Sequence, residues 1–247
     1  MLENTVTISK HMIKQTNANS GYSGLDELIN TEVMENFNSH IVSLAMKYAS
    51  NSKTVVDFGA GIGTLSLIFK KKFKIQPLCL EIDDANKEYL EKRGFEIGDG
   101  LSTLENKVDL IFSSNVLEHI QNDVSILCDM KTQLAEGGKI FLYLPAKMLL
   151  WSKLDEEVGH YRRYEHSELI EKCEQVGLVI EKLHFADSIG FFATLAMKVI
   201  GYNKDTGIGS VPSLRFYDKW LLPLSIILDK VGFKNLFGRN IVLVARK

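Results

Sequence analysis

The sequence predicts an α/β fold built on a doubly wound, mostly parallel sheet. Short apolar segments alternate with amphipathic segments of helical spacing, and the links between them are short. The apolar segments form continuous runs, which is typical of strands covered on both faces. A chain of 247 residues can bury such a sheet without disulfides.

The first part of the chain predicts one helix and then five strands. The first 30 residues are polar and suggest an arm or lid, and an amphipathic helix is expected over 32–49. The strands are expected at 54–58, 78–82, 95–98, 108–113 and 139–144. The helices between them are expected at 65–72, 84–93 and 123–134. Glycines at 94 and at 137–138 are expected to end the last two of these helices.

The second part predicts a helix over 167–175, a strand over 178–185 and a last strand over 240–245. An apolar insertion with two helical pieces separates these last two strands. The predicted division is an arm and helix at 1–50, a core at 51–187 and 238–247, and the insertion at 188–237.

Composition narrows the function classes. The formal charge of −2 argues against binding of nucleic acid through bulk charge. Three cysteines without a CxxC pair indicate a reducing compartment. The start of the chain lacks a signal-peptide pattern, and no apolar run reaches the length of a membrane span. We therefore expect a cytoplasmic protein without a transmembrane segment.

A glycine-rich turn follows the first strand, in the segment DFGAGIG. Glycines at this place let the backbone turn sharply and let a ligand lie against it. A dinucleotide-binding turn has a further glycine where this chain has Thr64. The carboxylate of Asp57 would also repel a pyrophosphate, whereas it suits an ammonium or sulfonium group. Both features argue against a nicotinamide-dependent oxidoreductase, which remains the less favoured alternative.

Two further acidic residues follow the next two strands. Glu81 ends the second strand, where a carboxylate can accept hydrogen bonds from both hydroxyls of a ribose. Asp99 lies between Gly98 and Gly100 after the third strand, where it can accept a hydrogen bond from an adenine amino group.

With these motifs in order, the chain resembles the class I S-adenosylmethionine-dependent methyltransferases. The resemblance is carried by VVDFGAGIG, LEID, GDG, DLIFSSNVLEHI and LAEGGKIFLYLPA, which together span 55–146. It implies a seven-stranded, Rossmann-like sheet with a reversed last strand, and S-adenosylmethionine as cofactor. The implied cofactor-binding residues are Asp57, Gly59, Ala60, Gly61, Gly63, Glu81, Ile82, Asp99, Gly100, Ser114 and Asn115.

Methyl transfer needs alignment and exclusion of water, and it needs a base only when the acceptor is a poor nucleophile. His119 lies after the fourth strand and is a candidate base; alternatively, Glu118 and His119 only orient their loop. Some quinone-pathway O-methyltransferases hold a divalent metal here through an ExxEH segment. Because Asn115 replaces the first of those glutamates, we predict no metal site.

The segment LDEEVGHYRRY follows the fifth strand, where the acceptor should bind. We expect His160 and Tyr161 to take part in catalysis, and we expect Arg162, Arg163 and Tyr164 to bind the substrate. An equally supported alternative is a salt-bridged lid in which Asp155 pairs with one of the arginines. The segment is similar to one in methyltransferases encoded among sugar and lipid-carrier enzymes.

The insertion at 188–237 favours a helical cap on the sheet or a dimer face, and the alternative is a hydrophobic pocket or a peripheral contact with a membrane surface. The predicted function is transfer of a methyl group to oxygen or nitrogen of a small or medium-sized molecule, with sugar- and lipid-linked acceptors among the candidates. A non-catalytic, cofactor-binding scaffold is the alternative from another class. The sequence does not predict an oligomeric state.

Overall fold

Seven strands form a single mixed sheet in the computed structural model, which describes residues 24–200 and 210–247. The strands are β1 Val55–Phe58, β2 Leu78–Leu80, β3 Ile97–Gly98, β4 Val108–Ser114, β5 Leu134–Pro145, β6 Val179–Ala186 and β7 Asn240–Arg246. Their order is β3-β2-β1-β4-β5-β7-β6. The pairs among β1 to β5 are parallel, and β7 runs antiparallel to both β5 and β6. The predicted doubly wound sheet with a reversed last strand is therefore confirmed.

Ten α-helices are present in the described part of the chain. They are α1 Gly24–Thr31, α2 Glu35–Tyr48, α3 Thr64–Ile68, α4 Asp84–Lys92, α5 Asp123–Gln133, α6 Lys153–Glu157, α7 His166–Val176, α8 Ser188–Ile200, α9 Val211–Phe216 and α10 Leu222–Lys230. Helices α1, α6 and α9 were not predicted; α9 lies where a loop was expected between the two helical pieces of the insertion. Of the predicted polar arm, residues 1–23 lie outside the described residues.

Two hydrophobic cores cover the two faces of the sheet. One lies between the sheet and α5 and α7, and it includes Leu127, Leu169 and Leu243. The other lies under α2 and the insertion, and it includes Ile41 and Val242. Both faces of the central strands are thus buried, which explains their continuous apolar runs.

The glycine pair at 137–138 was expected to end a helix, but it lies within β5. The helix ends at Gln133, and the strand begins at Leu134. The pairing of β5 with β4 shifts register between Val108 and Leu110, and Gly137 has a φ of +73°. The glycines therefore shape an irregularity within the strand, where their conformational freedom is needed.

The insertion begins with α8 and ends in a nearly continuous helical segment, in which a π-turn at Tyr217–Leu221 joins α9 to α10. Pro223 has no backbone N–H, so the regular hydrogen-bond ladder cannot continue through it. The wider π-turn comes directly before this proline. Tyr217 and Leu222 are buried in the core beneath, which fixes the inner side of the insertion on the sheet.

Candidate active site

The turn after β1 has a backbone conformation that glycine adopts far more readily than residues with a side chain. Gly59, Gly61 and Gly63 have φ values of +76°, +54° and +82°. A Cβ atom on Gly59 would lie 2.4 Å from Val116, which follows β4. The close approach of these two loops therefore depends on the absence of a side chain.

Glu81 is buried and bound to that turn. Its Oε2 accepts a hydrogen bond of 2.7 Å from the N–H of Gly61. Its Oε1 accepts hydrogen bonds from the N–H groups of Ile82 and Asp83 at 2.8 and 2.9 Å. Since each carboxylate oxygen has two acceptor positions, Oε2 keeps one for a further donor such as a ribose hydroxyl.

Asp57 lies beneath the turn, buried against Ser66. The hydroxyl of Ser66 donates to Oδ2 of Asp57 at 2.6 Å. Burial raises the pKa of Asp57 to about 7, and the nearby Glu81 adds to the effect while the Ser66 hydrogen bond opposes it. A cation bound at the turn would therefore stabilise the ionised form.

The other predicted cofactor residues follow β2, β3 and β4 at the same edge of the sheet. Ile82, Asp99 and Asn115 are exposed there, and Ser114 and Gly100 are partly exposed. Asn115 has a φ of +54°, and its backbone N–H donates to the carbonyl of Tyr143 at 2.8 Å. Parallel strands bring these loops together, so one ligand can contact all of them.

Helix α1 covers the glycine turn from the outside. A Cβ atom on Gly61 would lie 3.2 Å from the side chain of Leu28. Glu32 fixes the end of this helix, because it pairs with Arg93 at 2.7 Å and accepts from the hydroxyl of Thr64 at 3.0 Å. The contact of α1 with the turn was not predicted, since the segment around it is polar.

A second group of polar residues lies where the loops after β4 and β5 meet. The rings of His119 and His160 are in edge contact, with centroids 4.6 Å apart. Nε2 of His160 lies 3.8 Å from Oε1 of Glu118. Glu118, His119 and His160 each offer one ligating atom, and these three atoms lie within 4.8 Å of one another. We call these three residues the Glu–His–His cluster; its spacing is compatible with a proton-transfer site or with a metal ion.

Asp155 orients His160. Its Oδ1 lies 2.9 Å from Nδ1 of His160 and also accepts a hydrogen bond of 2.8 Å from Nε of Arg163. Because a carboxylate only accepts, the proton of this hydrogen bond lies on Nδ1, and in the neutral imidazole Nε2 is then an acceptor. Ser152 holds the other oxygen of Asp155 through its backbone N–H.

Burial sets the charge of the cluster. Both carboxylate oxygens of Glu118 are buried without a hydrogen-bond partner among the described residues. Burial raises the pKa of Glu118 to about 8, and Asp155 adds to this while Arg163 opposes it. Burial lowers the pKa of His119 to about 4, with a further contribution from His160. At neutral pH, His119 is therefore uncharged.

The three residues predicted to bind substrate are all engaged within the protein. Arg162 pairs with Asp123 at 2.7 Å, and the hydroxyl of Tyr164 donates to the same carboxylate at 2.8 Å. Arg163 is buried against Asp155. This arrangement contains the ion pair of the lid alternative, between Arg163 and Asp155. A role of these residues in substrate binding stays a prediction.

Tyr161 joins the two loops. Its backbone N–H donates to the carbonyl of Glu118 at 2.8 Å, while its side chain is exposed. Asp123 and Lys172 were not among the predicted site residues. Asp123 binds both Arg162 and the hydroxyl of Tyr164, and Lys172 pairs with Asp123. The acidic residue at the start of α5, Asp123, was recognisable in the sequence, but acidic residues are common at the N-termini of helices and do not by themselves indicate a site.

Comparison with known proteins identifies the family. The family described as "Methyltransferase domain" matches residues 31–183. The chain belongs to this family. It is a methyltransferase that uses S-adenosylmethionine, as its motifs predicted.

Solved structures share the fold. One is a SAM-dependent methyltransferase from Archaeoglobus fulgidus, with 16% identity, a TM-score of 0.57, and coverage of 86% of this chain and 94% of that one. Another is a putative sarcosine dimethylglycine methyltransferase from Galdieria sulphuraria, with 15% identity, a TM-score of 0.55, and coverage of 85% and 84%. A third is a phosphoethanolamine N-methyltransferase from Haemonchus contortus in complex with S-adenosyl-L-methionine, with 17% identity, a TM-score of 0.50, and coverage of 79% and 48%.

The residues present fit the cofactor. The turn at 59–63 offers a cradle that a side chain on Gly61 would fill, because Leu28 stands directly above it. The free acceptor position on Glu81 suits a ribose hydroxyl, and the buried carboxyl of Asp57 suits a cationic ligand. Asp99 is exposed at the same edge, where a donor on adenine can reach it.

Proposed function

We propose that the methyltransferase acts on oxygen or nitrogen of a small or medium-sized acceptor, and that His160 removes the proton of this acceptor. The observation that carries the proposal is the contact of 2.9 Å between Asp155 and His160. S-adenosylmethionine supplies the electrophilic methyl group. The chain's own residues hold the cofactor, exclude water and accept the proton that the acceptor loses.

The predicted site residues divide by location. We assign cofactor binding to Asp57, the glycine turn, Glu81, Asp99 and the residues after β4, as the sequence predicted. The Glu–His–His cluster is assigned to the acceptor. In the neutral imidazole that donates from Nδ1, Nε2 of His160 is an acceptor, and Glu118 has no hydrogen-bond partner among the described residues. An acceptor hydroxyl or amine beside both groups can pair with them.

Tyr161 and His119 complete this assignment. The exposed ring of Tyr161, the residue that follows His160, is proposed to contact the acceptor. His119 is uncharged and in ring contact with His160. Its proposed role is to pack against the base without placing a second positive charge beside it. Arg162, Arg163 and Tyr164 are proposed to hold the loop, with Arg162 at its outer side as a contact for an acidic acceptor.

The acceptor remains part of the proposal. A sugar- or lipid-linked molecule is the favoured class, because the apolar insertion contacts the loop after β5 through the hydrogen bond of 2.7 Å from Nζ of Lys198 to the carbonyl of Leu149. We also retain a cytoplasmic location as a proposal. No helix among the described residues is long and apolar enough to cross a membrane.

The test is methyl transfer from S-adenosylmethionine with a labelled methyl group to a panel of hydroxyl- and amine-bearing acceptors. Labelled product with the wild-type protein and its loss with His160→Gln, at unchanged affinity for S-adenosylhomocysteine, would support the proposal. Equal turnover by His160→Gln would overturn the role of His160. Binding of the cofactor with no transfer to any acceptor would favour the scaffold alternative.

A metal ion held by the Glu–His–His cluster is a specific second candidate for activating the acceptor. The sequence predicted no metal site, but the three ligating atoms are close enough to converge on one ion. The two mechanisms differ in response to chelation. Activity that persists after dialysis against a strong chelator would support the base, and loss that added Zn²⁺ or Mn²⁺ restores would support the metal.

A further inference from the structure

An apolar stripe runs along the outside of the insertion. It consists of Phe216, Trp220, Leu224, Ile227 and Val231, which are between 48% and 70% exposed. Their separations of four, four, three and four residues place them on one side of the helical segment. The apolar side of a surface helix normally faces the core. Here Tyr217 and Leu222 occupy the core-facing side, so the stripe lies on the outer side of the segment.

Basic residues flank the stripe on one side. The exposed residues Arg215, Lys219 and Lys230 each come directly before a stripe residue. A step of one residue turns a helix by about 100°, so the three cations form a row beside the apolar side. Nζ of Lys219 lies 5.3 Å from the ring centre of Trp220, which places a cation next to the exposed indole.

The acidic residues of the same segment are turned inward. Residues 210–236 contain four basic and two acidic residues, which gives a net charge of +2 in a chain whose net charge is −2. Asp218 accepts from the backbone N–H groups of Asn36 and Phe37. Asp229 accepts from the N–H groups of Asp187 and Ser188. The outer surface is therefore apolar and positive.

We infer that this stripe and its flanking cations dock onto a membrane that contains anionic lipids. An exposed indole beside a lysine suits the interface between acyl chains and headgroups, and the row of cations suits anionic phosphates. A second copy of the chain would bring the same cations together and would repel itself there. Charge thus favours the lipid surface over self-association.

The insertion that carries the stripe is tied to the loop of the proposed acceptor site. Nζ of Lys198, in α8, donates to the carbonyl of Leu149 at 2.7 Å, which ties the insertion to the loop after β5. The exposed side chains of Met148, Leu149 and Tyr161 lie on that loop or its continuation toward the Glu–His–His cluster. Resting on the proposed function, the inference favours an acceptor with an apolar tail that stays in the membrane while its headgroup enters the site.

The experiment is co-sedimentation of the full chain with vesicles of phosphatidylcholine alone and with vesicles containing one part in four of phosphatidylglycerol. We expect binding to the anionic vesicles only, and we expect it to weaken as salt is added. Ile227→Glu with Val231→Glu should weaken binding more than about tenfold, and Lys219→Gln should weaken it roughly fivefold. Ile170→Glu, at an exposed apolar position on α7, should leave it unchanged.

Three outcomes would overturn the inference. They are absence of binding to anionic vesicles, equal binding by the double variant, and a dimer in light scattering that the same double variant dissociates, which would make the stripe a self-association surface. Affinity for S-adenosylhomocysteine, measured in parallel, separates this result from the proposed function. A double variant that binds the cofactor normally and misses only the vesicles has kept its fold and its site.

Discussion

Gly61 and Glu81 are joined by a hydrogen bond of 2.7 Å that connects the turn after β1 to the end of β2. The same carboxylate accepts from two N–H groups of its own loop. Glu81 therefore sets the shape of the cofactor site in addition to offering an acceptor position to the cofactor. Its two tasks can be separated by substitution.

Glu81→Ala is expected to abolish measurable binding of S-adenosylhomocysteine and to destabilise the fold. The change leaves buried N–H groups unpaired, which costs about 1–3 kcal/mol for such a group. Glu81→Gln keeps an acceptor oxygen and should lower affinity with a smaller loss of stability. Calorimetric titration and thermal unfolding measure the two effects. The exposed Glu96→Ala is the control, and unchanged affinity in Glu81→Ala would contradict the site assignment.

Asp57 is expected to make the protein without bound cofactor less stable as pH rises from about 4 to 7. Burial raises its pKa to about 7 in the folded state, so the native protein binds the more protons over this range. By linkage, the free energy of unfolding then falls with rising pH, by roughly 2–4 kcal/mol in total. Asp57→Asn removes this loss and should be the more stable protein above pH 7.

Asp109 supplies a control of opposite sign. Backbone N–H groups of Thr54 and Lys53 bind its carboxylate at 2.9 and 2.8 Å and lower its pKa. Its contribution to stability is present above pH 4 and is lost as pH falls through the lowered pKa. Urea unfolding across the pH range measures Asp57→Asn and the control Asp109→Asn. If Asp57→Asn follows the wild type at every pH, the carboxyl is not held protonated.

Asp155→Asn is expected to lower kcat by about 100-fold or more while cofactor affinity stays unchanged. An asparagine can donate to Nδ1 of His160, and the proton then moves to Nε2, where it blocks acceptance of a proton from the acceptor. The pH profile of kcat should change shape along with its height. A purely structural role for Asp155 would lower the amount of folded enzyme and leave the profile unaltered.

Arg163→Lys is the matched variant for this prediction. It keeps a cation beside Asp155 and loses only the geometry of the guanidinium, which donates through Nε at 2.8 Å. We expect a loss of thermal stability with an unaltered pH profile. A changed profile in Arg163→Lys would mean that the arginine takes part in proton transfer.

The sequence predicts much of this molecule because its signals are local. The strands around Asp57 and Ile111 are recognisable from apolar runs, and the glycine turn follows from the need for positive φ at Gly59, Gly61 and Gly63. Parallel strands then bring the loops to one edge without further information. The fold and the cofactor followed from these features.

Contacts between distant segments had no such signal. Leu28 covers Gly61 although the sequence around it is polar, and Asp155 meets His160 only because α6 folds back on its own loop. The outward stripe on the segment from α9 to α10 cannot be told from a buried one by its sequence, because periodicity does not say which side faces the core. Only the position of Tyr217 and Leu222 in the core settles that question.

Asp218→Ala is expected to cost about 1–3 kcal/mol of stability, because Asp218 caps a helix that lies 182 residues earlier in the chain. Met34 precedes α2 and has no side-chain acceptor, so the N–H groups of Asn36 and Phe37 rely on this carboxylate at 3.0 and 2.7 Å. Urea unfolding should show a lower midpoint at an unchanged slope, and hydrogen exchange should show lost protection at Phe37. The stability of Asp218→Asn should fall between those of the wild type and of Asp218→Ala, since one oxygen acceptor remains.

Glu88→Ala is the control, because Glu88 forms an exposed pair with Lys92. It should shift stability by less than about 0.5 kcal/mol. If Asp218→Ala lowers the free energy of unfolding no more than Glu88→Ala does, α2 is stabilised by its buried side chains alone, and the insertion is not needed to hold this helix.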